Sequence, residues 1–372
     1  MAVKIVRQPN KIALLGVPTS AAAMSAGHEG APAALRAAGL IDRLRSIGCE
    51  VSDLGDDPIQ VYQPDEESPR ARNVPRVLTA LETLKPRIEQ AVKSGALPLI
   101  LSGDCSVVLA TIAGARRYFR HVSLIYMDRD ADLNTPATTS SGCVDGMVIS
   151  HVIGRGAAEL VRFWGEPPLV REPDLALFGV DRLEPGEEEA LRRAPLRVYR
   201  AADVQRMGGA AAAEAAIERV HGSGHEFVLH FDVDVIAGFQ ATNNPGTSGL
   251  RLDEVRAALA VFAKQKHLAA IDVSAYNPAK DPDGSGAKLI IDLLAGVLTE
   301  RLEALKPAVP AESATVAAAA SSGSEMAIPP AAPGEAWSSE SLEGEAESTE
   351  AASEPPAGEQ PKTSGEAEDS HS

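Results

Sequence analysis

Short apolar runs alternate with stretches of helical periodicity along most of the chain. Runs rich in Leu, Ile and Val predict buried strands at residues 11–17, 49–54, 97–102, 122–127, 174–180, 227–231 and 268–273. Apolar residues at helical spacing predict helices at residues 32–47, 77–94, 107–118, 201–220, 253–264 and 288–305. Alternating strands and helices imply helices on both faces of a parallel sheet. The pattern therefore predicts a three-layer α/β/α fold with a mostly parallel sheet.

Two clusters of aspartate follow two of the predicted strands. Asp128, Asp130 and Asp132 come after residues 122–127, and Asp232 and Asp234 come after residues 227–231. Because side chains alternate along a strand, we expect the aspartates of each cluster to point to one side. Parallel sheets bind ligands at the carboxyl ends of their strands, and neighbouring carboxylates repel each other unless a cation lies among them. The clusters therefore predict a site for a hard divalent cation such as Mg, Ca or Mn, and a common strand edge argues against solvated acidic loops.

Composition and charge limit the classes of molecule that the protein is expected to bind. The chain has 372 residues, 44% of them hydrophobic, and a formal net charge of −17, which argues against a nucleic-acid or anionic-membrane partner. The charge is concentrated in residues 307–372, which hold 13 acidic residues and one basic residue. Residues 306–372 are rich in Ala, Ser, Glu and Pro, so we expect a disordered tail there. Residues 1–10 are expected to form a short lead to the domain.

The cysteine content and the start of the chain predict a cytoplasmic protein. Three cysteines are too few for a disulfide framework or for a zinc site made of thiolates alone. The first residues lack the apolar segment of a secretory signal, and no apolar stretch is long enough to span a membrane.

Several segments occur in an order and spacing that resemble the ureohydrolase (arginase/agmatinase) family: residues 27–40, 101–106, 128–146, 231–234 and 276–278. The resemblance implies a single α/β domain over residues 11–305 and a two-manganese site. It further implies that a metal-bound hydroxide hydrolyses a guanidinium or related C–N bond of a small-molecule substrate. By the same analogy the protein would be a homo-oligomer, a trimer or a hexamer.

The resemblance assigns the metal ligands residue by residue. Asp128, Asp132, Asp232 and Asp234 match the four metal-binding aspartates of the family, whereas Cys105 and Asp130 stand where the family has two histidine ligands. One or two divalent ions are expected, with Mn²⁺ first. Cys105 as a thiolate would favour Zn²⁺ or Fe²⁺, but it could equally be a small buried apolar residue.

Four further residues match positions that bind substrate in the family. Asn134 and Ser141 match residues that bind the substrate's α-carboxylate in arginases, and Glu184 and Glu187 lie at the turn that recognises its α-amino group. An alternative role for the two glutamates is to favour the start of the helix that follows them.

The candidate catalytic residues, Asp130 and Asp145, both stand where the family has histidine; the histidine at the second position is thought to shuttle protons. Asp145 could instead cap a helix. Ala275 replaces a glutamate that holds the guanidinium group. His230 shares a face with Asp232 on a regular strand, and we interpret it as a core histidine or a residue that supports a ligand.

These substitutions leave two hypotheses. Five aspartates and a thiolate carry a charge of −6 against +4 for two divalent ions, and surplus negative charge weakens metal-bound water as a source of hydroxide. The first hypothesis is a metal-dependent hydrolase of a linear guanidine or amidine C–N bond, with arginine itself disfavoured by Ala275. The alternative is a catalytically degraded relative that acts as a binding or regulatory subunit.

Overall fold

A parallel sheet runs through the middle of the protein. The computed structural model describes residues 5–221 and 225–306. Within them the strands are β1 (Lys11–Val17), β2 (Glu50–Asp56), β3 (Leu97–Ser102), β4 (Val122–Met127), β5 (Leu175–Val180), β6 (Arg197–Arg200), β7 (Glu226–Asp232) and β8 (Leu268–Ser274). The strands pair in the order β2-β1-β3-β8-β7-β4-β5-β6, and every pair is parallel.

Helices connect the strands and cover both faces of the sheet. In the same described residues they are α1 (Ala31–Ala37), α2 (Leu40–Ser46), α3 (Val74–Lys93), α4 (Val108–Ala115), α5 (Val148–Val152), α6 (Ala158–Arg162), α7 (Pro185–Arg193), α8 (Ala201–Met207), α9 (Gly209–His221), α10 (Leu252–Ala263) and α11 (Ser285–Ala304). Short 3-10 turns precede several of them, including the turn at Cys105–Val107 before α4, and another 3-10 turn, Val233–Val235, follows β7.

Two apolar layers form the core, one on each face of the sheet. Because side chains alternate along a strand, Ile12 and Leu14 of β1 pack into one layer, whereas Ala13 and Leu15 pack into the other. The first layer is completed by α10 and α11, and the second by α3 and α4. The prediction of a three-layer α/β/α fold is therefore confirmed, and the sheet is fully parallel over the described residues.

The predicted helices were wrong where glycine interrupts them. Residues 32–47 form α1 and α2 rather than one helix, because Gly39 between them has a φ of 92°. Residues 201–220 are likewise divided into α8 and α9 at Gly208, which has a φ of 83°. Positive φ is a conformation that glycine adopts at little steric cost, so an unbroken apolar periodicity concealed both breaks. The short edge strand β6 was missed because four residues, two of them arginine, carry almost no pattern.

Neither end of the chain can be compared with its prediction in full. Residues 306–372, predicted as a disordered tail, lie outside the described residues except for Lys306, as do residues 1–4 of the lead. Among the described helices, none combines the length and the apolar character that crossing a lipid bilayer requires.

Candidate metal centre and substrate cavity

The candidate site lies where the order of the strands reverses. β3 and β4 follow each other in the chain but lie on opposite sides of the β8–β7 pair. The carboxyl ends of these four strands therefore face one crevice. Open α/β sheets bind ligands at such a reversal. Met127 at the end of β4 pairs with Phe231 near the end of β7, which places the two aspartate clusters side by side. The prediction that both clusters meet at one edge of the sheet is confirmed.

The first cluster occupies a turn rather than a continued strand. β4 ends at Met127, and Asp132 has a left-handed φ of 49°. Asp128 accepts a hydrogen bond from the backbone N–H of Asp130 at 2.8 Å, and the carboxylate of Asp132 accepts one from the hydroxyl of Tyr126. The alternation from which a common direction of Asp128, Asp130 and Asp132 was expected stops at Met127, so the turn rather than the strand sets the direction of each side chain.

The second cluster is held by a side-chain cap. Asp232 is the last residue of β7, and its carboxylate accepts the backbone N–H of Asp234 at 2.7 Å across the 3-10 turn that follows. Both side chains are buried, as are those of Asp128 and Asp132. Local backbone geometry thus directs these carboxylates into the protein rather than into solvent.

Two groups of side chains could hold a metal ion. Ligand atoms of Cys105, Asp128, His230 and Asp232 all lie within 4.8 Å of one another, and so do ligand atoms of Asp128, Asp130 and Asp234. Asp128 belongs to both groups, whereas Asp132, a predicted ligand, belongs to neither within the described part of the chain. His230 was not predicted as a ligand.

The electrostatics of these carboxylates favour a bound cation. Burial, followed by repulsion from neighbouring aspartates, raises the pKa of Asp128, Asp132 and Asp232 well above the usual range. Burial and Asp130 raise the pKa of Asp234 to about 6 even though a guanidinium lies beside it. Within residues 5–221 and 225–306, buried Oδ1 of Asp234 has no hydrogen-bond partner. These residues therefore fit a divalent metal, which would supply the missing positive charge and the missing partner.

Two arginines in the site were missed by sequence reasoning. Arg182 pairs with Asp130 through two hydrogen bonds, Nε to Oδ1 at 2.5 Å and Nη2 to Oδ2 at 2.6 Å. Buried Arg129 donates from Nη2 to Oδ2 of Asp234 at 3.1 Å and to the backbone carbonyl of Asn244 at 2.6 Å. Burial lowers the pKa of a guanidinium, but the hydrogen bonds and charge of Asp130 outweigh it and raise the pKa of Arg182.

The arginines change the charge balance of the site. With Arg129 and Arg182 counted, five aspartates and a thiolate leave four negative charges, which two divalent ions would neutralise. The surplus expected from sequence therefore disappears. Arg129 could have been noticed within the aspartate motif itself, but nothing in the pattern indicates that Arg182 reaches Asp130, 52 positions away.

Cys105 lies directly in the candidate metal centre. Its thiol donates to Oδ2 of Asp232 at 3.0 Å, and its backbone N–H donates to Oδ1 of Asp145 at 2.8 Å. Burial, together with the charges of Asp145 and Asp232, raises the pKa of the thiol well above its usual value. The loop that carries Cys105 lies very close to the backbone at Thr19: a Cβ added to Gly103 would be 1.7 Å from the backbone oxygen of Thr19.

A cavity of about 410 Å³ opens above the carboxylates. Its wall contains the predicted metal ligand Asp132 and all the residues predicted to be catalytic or to bind substrate: Asp130, Asn134, Ser141, Asp145, Glu184 and Glu187. Asn134 donates from Nδ2 to Oε2 of Glu184 at 3.2 Å. His28, Arg182, Asn243 and Asn244 also line the cavity and were not predicted. Burial, then the charge of Asp104, raises the pKa of Asp145 to about 8.

Glu187 has a structural task at the cavity wall. Its Oε1 accepts the backbone N–H of Leu133 at 2.9 Å, and its Oε2 accepts that of Glu184 at 2.8 Å. The second contact closes a capping box at the start of α7, which was the alternative role considered for this residue. Glu187 therefore joins the cavity loop to α7 with both oxygens, and direct contact with a substrate remains a prediction.

Comparison with known proteins places the chain in a family. The family model described as "Arginase family" matches residues 10–299, more than three-quarters of the sequence. The chain belongs to the arginase family. Its relatives include an arginase of Bacillus caldovelox, 28% identical over 78% of this chain and 99% of the relative, and arginase-2 of Rattus norvegicus, 29% identical over 78% and 85%. The crystal structure of arginase from Bacillus cereus superposes with a TM-score of 0.72 at 27% identity, covering 78% of this chain and 98% of that one.

Family membership confirms the resemblance stated from the motifs. It also agrees with the prediction of an enzyme of the arginase type, a hydrolase of amidino C–N bonds. The matched residues contain the whole candidate centre and exclude residues 306–372, the predicted tail.

Proposed function

We propose that this protein is a metal-dependent hydrolase of a linear C–N bond in a small guanidine or amidine. The observation that carries the proposal is the convergence of buried aspartates, with two groups of metal-binding geometry, beneath a polar cavity. A buried cluster of carboxylates has no stabilising role of its own, because each raised pKa represents a cost of ionisation in the folded state.

The roles of the residues follow from their positions. Asp128, Asp232 and Asp234 would hold the metal, with Asp130, Asp132 and Cys105 beside them. A divalent ion bound there supplies the Lewis acidity that makes water a nucleophile near neutral pH. We propose Mn²⁺ first, as one or two ions.

The cavity wall would orient the substrate. Asn134, Ser141 and Glu184 present amide, hydroxyl and carboxylate groups to the cavity, and Glu187 holds the turn that carries Glu184. Asp145 lies at the same wall with one oxygen tied to the backbone of Cys105, a position suited to passing a proton to the leaving amine.

Arginine is a poor candidate substrate. Ala275 is buried directly after β8, and its backbone N–H donates to the carbonyl oxygen of Gly103 at 2.8 Å. Its methyl side chain offers no charged group to a guanidinium. A charge-assisted contact of that kind is worth roughly 1.5–3 kcal/mol, on the order of a tenfold to hundredfold change in binding.

A second function is favoured by one observation. Asp130, at the position of a family histidine ligand, is engaged by Arg182 through both oxygens. A guanidinium that neutralises this carboxylate without a metal supports a catalytically degraded protein that serves as a binding or regulatory subunit.

Metal analysis combined with a substrate screen separates the two functions. Protein purified with Mn²⁺, Zn²⁺ or Fe²⁺ would be assayed for metal content and for release of urea, ammonia or formamide from arginine, agmatine, guanidinobutyrate and formiminoglutamate. Bound metal with turnover of a substrate other than arginine is the expected result. Asp232→Asn should abolish turnover, whereas Asp42→Asn, at an exposed position of α2, should not. Metal-free, inactive protein would support the subunit.

Family membership also motivates two proposals about the protein in the cell. We propose a homo-oligomer, a trimer or a hexamer, and a cytoplasmic location. Sedimentation analysis of the purified protein tests the first, and fractionation of the source cells tests the second.

A further inference from the structure

His230 and Cys105 bring a nitrogen and a sulfur donor to one side of the candidate centre. Both belong to the group that also contains Asp128 and Asp232. We propose that His230 Nε2 and Cys105 Sγ, with those two carboxylates, form a site that selects zinc-like ions over manganese. The inference rests on the proposed function only for the presence of a metal, and it adds which ion binds and which side chain supplies the nitrogen.

The sheet places His230 in a row of polar side chains. Tyr126 of β4, His230 of β7 and Asp272 of β8 are register partners across three adjacent strands. The ring of Tyr126 stacks on that of His230 with centroids 4.3 Å apart and planes inclined by 6°. Nδ1 of His230 contacts a carboxylate oxygen of Asp272, and both residues are fully buried. Stacking on its face and the contact at Nδ1 therefore fix the orientation of the imidazole.

The contact with Asp272 leaves Nε2 available to a metal. A carboxylate beside Nδ1 favours the tautomer with its proton on Nδ1, so the lone pair lies on Nε2. Metal-binding histidines in proteins usually donate their second ring N–H to a carboxylate or carbonyl in this manner, which fixes the ring and raises its basicity. A core histidine with no ligand role needs a hydrogen-bond partner too, but it does not need to lie in a group of metal donors.

The second ring nitrogen of His230 is linked to the thiol through the hydroxyl of Ser274. Nε2 of His230 lies 3.3 Å from Oγ of Ser274, which lies 3.4 Å from Sγ of Cys105. Sγ in turn lies 3.0 Å from Oδ2 of Asp232. Zinc distances of about 2.0–2.3 Å require donor pairs about 3.3–3.6 Å apart in a tetrahedron. The donor atoms lie within 4.8 Å of one another, so each pair must close by at most about 1.5 Å, which is about 0.75 Å per atom when both move.

The donor set determines the preferred ion. Thiolate and imidazole suit zinc, iron and cobalt, whereas manganese prefers sites built from oxygen. Binding would displace the thiol proton of Cys105 to solvent, leaving the thiolate on the metal and no change in oxidation state. The oxygen-only group of Asp128, Asp130 and Asp234 lacks this preference, so selectivity for zinc-like ions is expected on the sulfur side alone.

Cobalt spectroscopy of the full chain provides the test, because Co²⁺ substitutes for zinc and reports its ligands without catalysis. Metal-free protein titrated with Co²⁺ should develop a near-ultraviolet sulfur-to-cobalt charge-transfer band. Cys105→Ser should lose the band and should lose more affinity for Zn²⁺ than for Mn²⁺. Cys143→Ser, which alters another buried thiol at the cavity wall, should keep both the band and the affinity.

The nitrogen donor is tested separately. Asp272→Asn should keep the charge-transfer band and weaken Co²⁺ binding about 10- to 100-fold, as expected for a residue that positions a ligand. The double variant His230→Phe/Asp272→Leu retains a ring against Tyr126 and leaves no buried charge unpaired, and it should bind Co²⁺ more weakly than Asp272→Asn. If the double variant does not fold, X-ray absorption at the cobalt edge of the wild type should still show one sulfur and at least one imidazole.

Opposite results overturn the proposal. No charge-transfer band, an X-ray absorption spectrum of oxygen ligands alone, or unchanged Co²⁺ affinity in the double variant would each exclude it. Turnover with manganese and no sulfur ligation would reject this inference and leave the proposed function intact. Sulfur and nitrogen ligation without any turnover would support this inference and reject the proposed hydrolase function.

Discussion

Replacing Arg129 by methionine should destabilise the metal-free protein far more than the same replacement of Arg182. Both arginines pair with an aspartate of the site, but their surroundings differ. The Arg129 side chain is 4% exposed and its partner Asp234 is 6% exposed, whereas the Arg182 side chain is 52% exposed. The comparison contrasts a buried ion pair with a half-exposed pair of the same two residue types.

The expected magnitudes follow from that difference. At 3.1 Å between Arg129 Nη2 and Asp234 Oδ2, an effective dielectric constant of about 20 gives an attraction of about 5 kcal/mol. Removing one partner of a buried pair typically costs about 3–5 kcal/mol, because the other charge stays buried and unpaired. The pair of Arg182 with Asp130 is screened by water and should contribute about 0–1 kcal/mol.

Urea denaturation in the presence of a chelator measures both effects. At about pH 7.5, above the pKa of about 6 for Asp234, that carboxyl group is ionised in the folded protein, so Arg129→Met should lower the free energy of unfolding by about 3–5 kcal/mol. Arg182→Met should lower it by at most about 1 kcal/mol. Equal losses in the two variants, or a loss below about 1 kcal/mol for Arg129→Met, would refute the reasoning from burial.

Three further predictions concern residues that shape the site. Glu187→Gln should lower the free energy of unfolding by about 1–3 kcal/mol in urea titrations, because an amide cannot accept from Leu133 and Glu184 with both of its heavy atoms. Burial lowers the pKa of His151 to about 4, so the unfolded chain binds more protons than the folded protein between about pH 6.5 and pH 4, and stability falls as pH falls through that window. When the pH is lowered from neutral to about 5, the free energy of unfolding of His151→Leu, measured by urea titration, should therefore fall by about 2 kcal/mol less than that of the wild type. Gly103→Ala should lower stability by at least about 1–3 kcal/mol in thermal unfolding, and a variant within about 0.5 kcal/mol of wild type would contradict the close approach of its loop.

Local patterns were sufficient to predict the fold and the location of the site. The apolar runs before the two aspartate clusters became β4 and β7, and three predicted strands, Lys11–Val17, Leu97–Ser102 and Val122–Met127, have the observed bounds. Buried strands in a parallel sheet are nearly all apolar, so their ends are clear in the sequence. Helix breaks were less clear, because the glycines at which they occur leave the apolar periodicity intact.

The contacts inside the site could not be read from these patterns. Arg182 reaches Asp130 from a loop 52 residues further along the chain, and Asp272 meets His230 across two neighbouring strands. Both contacts depend on the strand order, which brings β8 next to β7 and the loop after β5 beside that of β4. The apolar pattern of a strand or helix does not indicate the order in which strands lie in the sheet.

The sequence by itself determined that a parallel sheet would carry a set of carboxylates at the carboxyl end of each of two strands, because strand formation depends on neighbouring residues. The tertiary structure alone decided which charges and donors meet those carboxylates. It placed the guanidinium of Arg129 beside Asp234 and the imidazole of His230 beside Cys105 and Asp232. Electrostatic balance and metal preference depend on distances of a few ångströms between residues far apart in the chain, and those distances exist only in the folded protein.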